Sequence, residues 1–276
     1  MSAWIIRAGL ASLALCLPAV TGCADESKPA TPTSPAVLPT SGPCQGATES
    51  GKRLLAIVNG TECDSTTSSV VRVAIRRTAA GSVSNCSGTV IGAQAVLTAA
   101  HCVVGNPIEV TIAPGGSEEI PAQSFAVHPE YVPSPYPLDI AVVITSRPIG
   151  RRTIPLLLSR AGRVGETAVL AGWGIETVGG SGMLRAGVAV VDFVGETFLT
   201  TRFANSETAT CSGDSGGPLL LSESGEWILA GVTATGVFNP STNAPPCQNG
   251  ISVYAGVRAA TISSFIRERV PDASLR

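Results

Sequence analysis

Three polar residues lie against strongly apolar sequence and could together perform acid–base and nucleophilic chemistry. His101 lies in the segment LTAAHC, where we expect the end of an apolar strand, Asp139 lies between Leu138 and Ile140, and a serine, Ser215, lies in GDSGGP. A buried carboxylate is costly unless another group accepts its charge. Glycines beside a serine permit a sharp turn that exposes its hydroxyl and directs neighbouring N–H groups to one point. The chain therefore offers an acid, a base and a hydroxyl.

Each of these segments also has a structural interpretation. A single histidine beside an apolar strand is more often a structural residue than a catalyst, and a serine between glycines can belong to an ordinary surface turn. The sequence contains no cysteine–histidine cluster with zinc-ligand spacing and no glycine loop that leads from a strand into a helix to bind phosphate. We therefore expect no cofactor and no metal.

The elements that would position these residues are short β-rich runs separated by glycine, proline and serine. Clear examples are residues 70–75, 140–144 and 227–232. Regular short strands with intervening turns predict an all-β sandwich or barrels, and periodicity alone does not decide between them. One helix is predicted near the end of the chain, where Ile262, Phe265 and Ile266 fall on one face.

Composition fits a turn-rich globular protein. At about 150 residues per domain, the 276 residues correspond to one large or two small domains. Charged residues make up 14% of the chain against about 25% in an average protein, and the net charge is −2. This balance argues against a nucleic-acid partner, which requires a concentrated positive surface. Hydrophobic residues at 44% suffice for a core.

The N-terminal region predicts export. Residues 8–20 form an apolar run of the length of a signal-peptide core, shorter than the ~20 residues of a spanning helix. The run ends in VTGC, which resembles a bacterial lipoprotein signal with Cys23 as the lipidated residue. We expect residues 1–22 to be removed and the protein to be anchored by lipid to a membrane of the cell envelope. The alternative is an ordinary secretion signal with Cys23 incidental.

The next two segments are predicted to precede the folded body. Residues 23–43 are rich in proline, threonine, serine and alanine, which cannot bury enough surface to offset the entropy of ordering. They are interpreted as a disordered linker. Residues 44–56 are interpreted as a propeptide-like segment, and residues 57–276 as the functional domain.

Taken together, the His101, Asp139 and Ser215 segments resemble the chymotrypsin/trypsin family of serine proteases, in the family's order, with Gly172-Trp173-Gly174 between them. The likeness extends from Ile57 to about Val270. It implies two six-stranded antiparallel β-barrels with the active site in the cleft between them. It also identifies the segment around His128, the only other histidine, as structural.

The resemblance implies a serine endopeptidase that acts on protein or peptide substrates. Ser215 would attack the carbonyl, His101 would transfer the proton, and Asp139 would orient the imidazole. The N–H groups of Gly213 and Ser215 would form the oxyanion hole. Two alternatives remain open: a protease-like binding module without activity, and an ester hydrolase.

The family pattern also implies disulfide pairings in an exported protein. Cys86–Cys102 would tie the histidine loop and Cys211–Cys247 would shape the specificity pocket. The remaining pair would be Cys44–Cys63.

Activation by cleavage is implied by Ile57, which resembles the family's mature N-terminus. Its freed amino group would pair with Asp214, the acid before the nucleophile. Ala56 rather than Arg or Lys precedes Ile57, while Lys52 and Arg53 lie farther upstream. The activating protease is therefore open, and an active uncut form is an alternative.

The specificity pocket is expected to be uncharged. Ala209 occupies the position where trypsin-like members carry an aspartate at the pocket floor. Gly236 would keep the entrance open, and Ser252 would line the opposite wall. Ala234 stands where the family usually has a serine bonded to the catalytic aspartate. We expect a preference for small to medium uncharged side chains over Arg or Lys.

Overall fold

The computed structural model describes residues 57, 60–133, 138–174, 182–203, 208–238, 247 and 249–276. Within these residues no helix has both the length and the apolar character needed to span a membrane. The helices and strands, in chain order, are β1 Thr61–Glu62, β2 Val70–Arg76, β3 Val83–Gly92, β4 Ala95–Thr98, α1 Ala100–Val103, β5 Glu109–Ala113, β6 Ile120–Val127, β7 Ala141–Thr145, β8 Thr167–Gly172, β9 Arg185–Val194, β10 Phe198–Phe203, β11 Pro218–Glu223, β12 Glu226–Phe238, β13 Gly250–Gly256 and α2 Ala260–Arg269.

The first barrel is a closed antiparallel sheet in the order β2-β3-β4-β7-β6-β5. Its interior is filled mainly by β-branched side chains, which suit a pleated surface. Val73, Val90, Val96 and Val143 are fully buried there. The predicted runs at 70–75 and 140–144 correspond to β2 and β7, so both predictions are confirmed.

The second barrel closes because β8 pairs with both β9 and β11, which completes the ring β9-β10-β13-β12-β11-β8. The short strand β1 adds to the outside of this ring through β9. Leu170, Leu219, Ile228 and Tyr254 are fully buried in its core. The predicted architecture of two six-stranded antiparallel barrels is therefore confirmed. Periodicity alone left a sandwich open as the alternative, and the observed fold is a pair of barrels.

A third apolar cluster joins the two barrels. It contains Leu97 and Ile140 from the first barrel and Leu229 from the second. Helix α2 packs on the same cluster through Ile262, Phe265 and Ile266, the face that the sequence predicted. The cleft that holds the predicted site is thus built on a continuous hydrophobic support.

His128 has the contacts of a structural residue. Its side chain is buried, its Nδ1 accepts a hydrogen bond from the Glu130 N–H at 3.2 Å, and its ring lies 5.1 Å from that of Phe265. These contacts support the structural interpretation of this histidine.

Candidate active site

The paired strands β4 and β7 bring His101 and Asp139 together. Thr98, the last residue of β4, lies opposite Ala141, the first residue of β7. His101 follows β4 and Asp139 precedes β7, so the two side chains lie at the same end of the ladder. The His101 Nδ1 is 2.6 Å from Asp139 Oδ2, and the His101 backbone N–H donates to Asp139 Oδ1 at 2.9 Å.

His101 lies on a helix that the sequence did not predict. The strand-end location expected for this residue is wrong: β4 ends at Thr98, and His101 belongs to the one-turn helix α1. Four helical residues are too few to give a periodic signal, and the N-cap residue Ala99 makes no side-chain cap bond. The helix turns the backbone N–H of His101 toward Asp139.

The carboxylate of Asp139 is shielded from solvent while the imidazole is accessible. The Asp139 side chain is 4% exposed and that of His101 is 34% exposed. Tyr131 lies close by, and its pKa is raised by burial and by the negative charge of Asp139. Ala234 has no hydroxyl to bind Asp139, so the two contacts with His101 are the hydrogen bonds of this carboxylate within the described part of the chain.

Ser215 lies on the rim of a cleft of about 320 Å³ that His101 and Asp139 also line. Its loop is fixed by backbone bonds to both barrels. The Ser87 N–H of β3 donates to the Ser215 carbonyl, and the Gly216 N–H donates to the Thr233 carbonyl of β12, each at 2.8 Å. The nucleophile predicted from GDSGGP is thus half-buried at the junction of the two barrels, in the same cleft as the His101–Asp139 pair.

Gly213 occupies a position that requires glycine. The Asp214 N–H donates to the Cys211 carbonyl at 3.0 Å, which closes a turn with Gly213 as its third residue. The φ angle of Gly213 is +94°, the value of a type II turn, which excludes most side chains. A Cβ atom there would also lie 2.9 Å from the Gly174 Cα. The loop before Ser215 therefore packs directly on the Trp173–Gly174 segment.

Asp214 is a buried acid held by backbone N–H groups. Its Oδ1 accepts from the Gly174 N–H at 2.8 Å and its Oδ2 from the Cys211 N–H at 2.9 Å. Burial raises the pKa of Asp214 to about 6, although these two hydrogen bonds and the charge of Arg185 lower it. The ionised carboxylate is thus short of compensating positive charge.

Ile57 is buried in the core of the second barrel together with Tyr254. Burial raises the pKa of Tyr254 strongly, and the charge of Asp214 raises it further. Ile57 thus belongs to the same apolar cluster as Tyr254, a residue on which the charge of Asp214 acts. The preceding residues 44–56 lie outside the described part of the chain.

The predicted specificity residues fall into two groups. Ala234 and Gly236 line the cleft, and the register of β12 on β13 shifts between Thr233 and Thr235, which places Ala234 at a bulge. Ala209 and Ser252 are fully buried and do not line the cleft.

A residue that the sequence reasoning missed, Thr210, separates the cleft from Ser252. Thr210 lines the cleft, and its hydroxyl donates to Ser252 Oγ at 2.8 Å. Its neighbour Ala209, two residues before Cys211, could have drawn attention to it. The roles of all these residues remain predictions.

Disulfides join Cys86 to Cys102 and Cys211 to Cys247, as the resemblance implied. Cys63 is also disulfide-bonded. Its predicted partner Cys44, and the predicted lipid site Cys23, lie outside the described residues.

The described residues contain one close group of potential metal ligands, formed by Cys86, His101 and Cys102. Both of these cysteines are joined in a disulfide bond and have no free thiolate, so the group does not form a metal site.

Two closed antiparallel barrels with a histidine–aspartate pair and a glycine-flanked serine in one cleft define the chymotrypsin-like class of proteins. The family model for trypsin matches residues 57–262. The chain belongs to the trypsin family.

Curated relatives agree with this assignment. Human serine protease 56 is 31% identical over 221 residues, which cover 69% of this chain and 35% of that protein. A trypsin-like protease of Streptomyces glaucescens is 27% identical over 195 residues, which cover 62% of this chain and 72% of that protein. A solved structure of HL collagenase superposes with a TM-score of 0.63 at 20% identity, covering 77% of this chain and 98% of that one. That likeness shows the fold.

The chain spans less than half the length of the first curated relatives it matches. The matched region covers 35% of human serine protease 56 and 46% of mouse vitamin K-dependent protein C.

Proposed function

We propose that this protein is a serine endopeptidase that hydrolyses peptide bonds through His101, Asp139 and Ser215. The observation that carries the proposal is the His101–Asp139 pair, which is joined by two hydrogen bonds and lies in the same cleft as Ser215. Membership of the trypsin family supports it.

The contact with Asp139 supports a separate role for each ring nitrogen of His101. Because Asp139 binds Nδ1, Nε2 is the ring nitrogen that takes the Ser215 proton as Oγ attacks the substrate carbonyl. The imidazolium then gives the proton to the leaving amine, and an acyl-enzyme remains. Water then attacks the acyl-enzyme, with His101 taking a proton from the water and returning it to Ser215. The carboxylic acid product is released. The buried charge of Asp139 stabilises the imidazolium in both halves of the reaction.

The negative oxygen that forms on the substrate would be bound by the N–H groups of Gly213 and Ser215. Losing one such donor typically costs about 2.7–4 kcal/mol of transition-state stabilisation. The positive φ of Gly213 and the bonds that hold its turn support this assignment.

Substrates would bind as an added strand along residues 234–236 of β12. Thr210, Ala234 and Gly236, which line the cleft, carry no charge, and this supports a preference for small to medium apolar side chains at the cleaved bond. Thr210 and Ser252, joined by their hydroxyls, limit the depth available to a side chain. Faster turnover of an Arg-based peptide than of Ala-, Leu- or Phe-based peptides would contradict this preference.

Cleavage before Ile57 is proposed to activate the protein. The new amine would supply positive charge to Asp214, whose pKa of about 6 reflects an incompletely compensated charge. The burial of Ile57 in the core of the second barrel supports this. The activating protease is a separate partner whose specificity must accommodate Ala56.

Export and lipid anchoring at Cys23 complete the proposal. The disulfides of the described domain support an oxidising compartment. Metabolic labelling with a fatty acid, lost in Cys23→Ala, would test the anchor against the simple secretion signal.

The experiment that tests the function is labelling with a fluorophosphonate probe, which reacts with an activated serine. The chain is labelled as exported and after trimming to Ile57, with Ser215→Ala as the control. Labelling only after trimming supports both the nucleophile and the activation step. Labelling of both forms supports an enzyme that needs no cut. No labelling of either form, with the fold intact, would favour a protease-like binding module.

A further inference from the structure

Ser87 connects the first barrel to the loop that carries Ser215. It lies on β3, directly after Cys86, and is fully buried. Its hydroxyl donates to the Gly213 carbonyl at 2.9 Å and accepts from the Trp173 N–H at 2.8 Å. Its own N–H donates to the Ser215 carbonyl at 2.8 Å.

The carbonyls of both proposed oxyanion-hole residues are therefore held by one residue. Gly213 is bound through the Ser87 side chain and Ser215 through the Ser87 backbone. The turn that contains Gly213 can in principle change between type I and type II by rotating its central peptide, whose N–H belongs to Gly213. The hydrogen bond from Ser87 holds the Gly213 carbonyl, on the other side of the Gly213 Cα, and so restricts rotation of that peptide.

The direction of each hydrogen bond is fixed by chemistry. A backbone N–H can only donate, so the Trp173 N–H occupies a lone pair of Ser87 Oγ. The single hydroxyl proton is then available for the Gly213 carbonyl, which can only accept. The Trp173 N–H is buried and the Gly213 carbonyl is partly buried, so leaving the N–H unpaired would be costly.

Ser87 also acts beside a second anchor of the same loop. The Gly174 N–H, next along the chain from Trp173, is bound by Asp214. Two consecutive N–H groups of the Trp173–Gly174 segment are thus taken by Ser87 and Asp214. The Ser87 carbonyl in turn accepts from the Thr98 hydroxyl at 2.7 Å. These hydrogen bonds hold Ser87 in place, and Ser87 in turn holds the loop that carries Ser215.

We propose that Ser87 is a positioning residue for the reaction, whose hydroxyl holds Gly213 so that the oxyanion hole is formed before substrate binds. This inference rests on the proposed function and adds a residue that contacts neither substrate nor the reacting atoms.

The test compares Ser87→Ala, Ser87→Gly and the control Thr89→Val in the exported chain, trimmed to Ile57 if labelling requires it. Thr89 lies two residues farther along β3, and its buried hydroxyl has no partner within the described residues. We expect Ser87→Ala to lower kcat by about 10- to 100-fold with KM nearly unchanged, because the loss falls on transition-state binding. Thr89→Val should keep the wild-type kcat.

Ser87→Gly separates the hydrogen bonds from packing. Glycine leaves space for about one water, which can bind the Trp173 N–H and the Gly213 carbonyl, whereas the alanine methyl group fills that space. We therefore expect Ser87→Gly to retain more activity than Ser87→Ala. A packing role predicts the opposite order, since glycine leaves the larger cavity.

A peptide boronic acid provides a second readout, because its tetrahedral adduct with Ser215 places an oxygen in the oxyanion hole. Its affinity should fall in Ser87→Ala by the same factor as kcat/KM. Wild-type kcat and boronate affinity in Ser87→Ala, or less activity in Ser87→Gly than in Ser87→Ala, would overturn the inference. An inactive, folded wild-type protein would instead reject the proposed function.

Discussion

The carboxylate of Asp139 binds His101 twice, once at the ring Nδ1 and once at the backbone N–H. Two acceptor oxygens are therefore needed at this position, and both are used by the same residue. The hydrogen bond to the His101 backbone N–H fixes the start of α1 relative to β7. The hydrogen bond to Nδ1 fixes the tautomer of the imidazole. The Asp139 side chain alone orients the imidazole, because Ala234 has no hydroxyl that could bind the Asp139 carboxylate.

Asp139→Asn should reduce kcat by about 10⁴-fold while the fold is retained. Asparagine replaces one of the two acceptor oxygens by an NH₂ donor, so the ring Nδ1–H and the backbone N–H can no longer each meet an acceptor. The measurement is kcat on a peptide ester, with Asp192→Asn, a partly exposed acid paired with Arg202, as the control. Equal kcat values for Asp139→Asn and wild type would contradict the assignment of the triad.

Asp214 should make the uncut chain less stable as the pH rises. Its pKa is about 6 in the folded chain against an ordinary value of 3.8, so the folded chain holds the proton more tightly than the unfolded chain. Stability is lost as the pH rises from about 4 to about 6, by about 3 kcal/mol in total. Urea unfolding of wild type and Asp214→Asn measures this loss. Parallel pH profiles for the two proteins would refute it.

Arg185→Gln should raise the pKa of Asp214 further. Arg185 is buried and lies opposite Gly172 in the β8–β9 ladder, and a Cβ atom on Gly172 would lie 2.2 Å from Asp214 Oδ1. Opposite residues of a ladder share a face, so Arg185 projects on the side of the sheet where the carboxylate lies. The pH at which stability is lost should move upward in Arg185→Gln and stay in place in Arg185→Lys. An unchanged profile in Arg185→Gln would show that its charge does not act on Asp214.

Ser252→Gly should favour larger side chains at the cleaved bond. Removing the hydroxymethyl group frees Thr210 to move back from the cleft. The ratio of kcat/KM for a Phe-based peptide to that for an Ala-based peptide should rise about tenfold, the effect of one or two methylenes of added space. Ser124→Gly, the same change on an exposed part of β6, serves as the control. A falling ratio would place Ser252 away from the specificity pocket.

Cleavage before Ile57 should leave the two pieces of the chain connected if Cys44 is the partner of Cys63. On a gel without reductant the activated protein should run as one species, and reductant should release the catalytic fragment. Release without reductant would show that activation frees the enzyme from its proposed anchor.

Much of the fold could be predicted from the sequence because apolar runs and turn residues alternate so regularly. The runs at 70–75, 140–144 and 227–232 are strands, and the apolar face of α2 is buried as expected. Barrel closure could not be derived from these patterns. It depends on β8 pairing with two neighbours at once, which periodicity does not encode.

The candidate residues His101, Asp139 and Ser215 could be singled out from the sequence because each contrasts with its surroundings, whereas the residues that support them could not. Ser87 and Thr210 are ordinary small polar residues within strand-like or turn-like sequence. Their proposed roles rest on contacts with residues 126 and 42 positions away. Helix α1 was missed for a related reason, since the Asp139 contact that accompanies it comes from 38 residues farther along.

The contact between Ser87 and Gly213 also has a consequence for biosynthesis. The loop around Ser215 belongs to the second barrel, yet it is held by a strand of the first, 126 residues earlier in the chain. Neither barrel alone can complete these bonds, so the loop reaches its final structure only after both have folded and docked. A partly synthesised chain therefore lacks the finished loop around Ser215 and, under the proposed function, an active nucleophile.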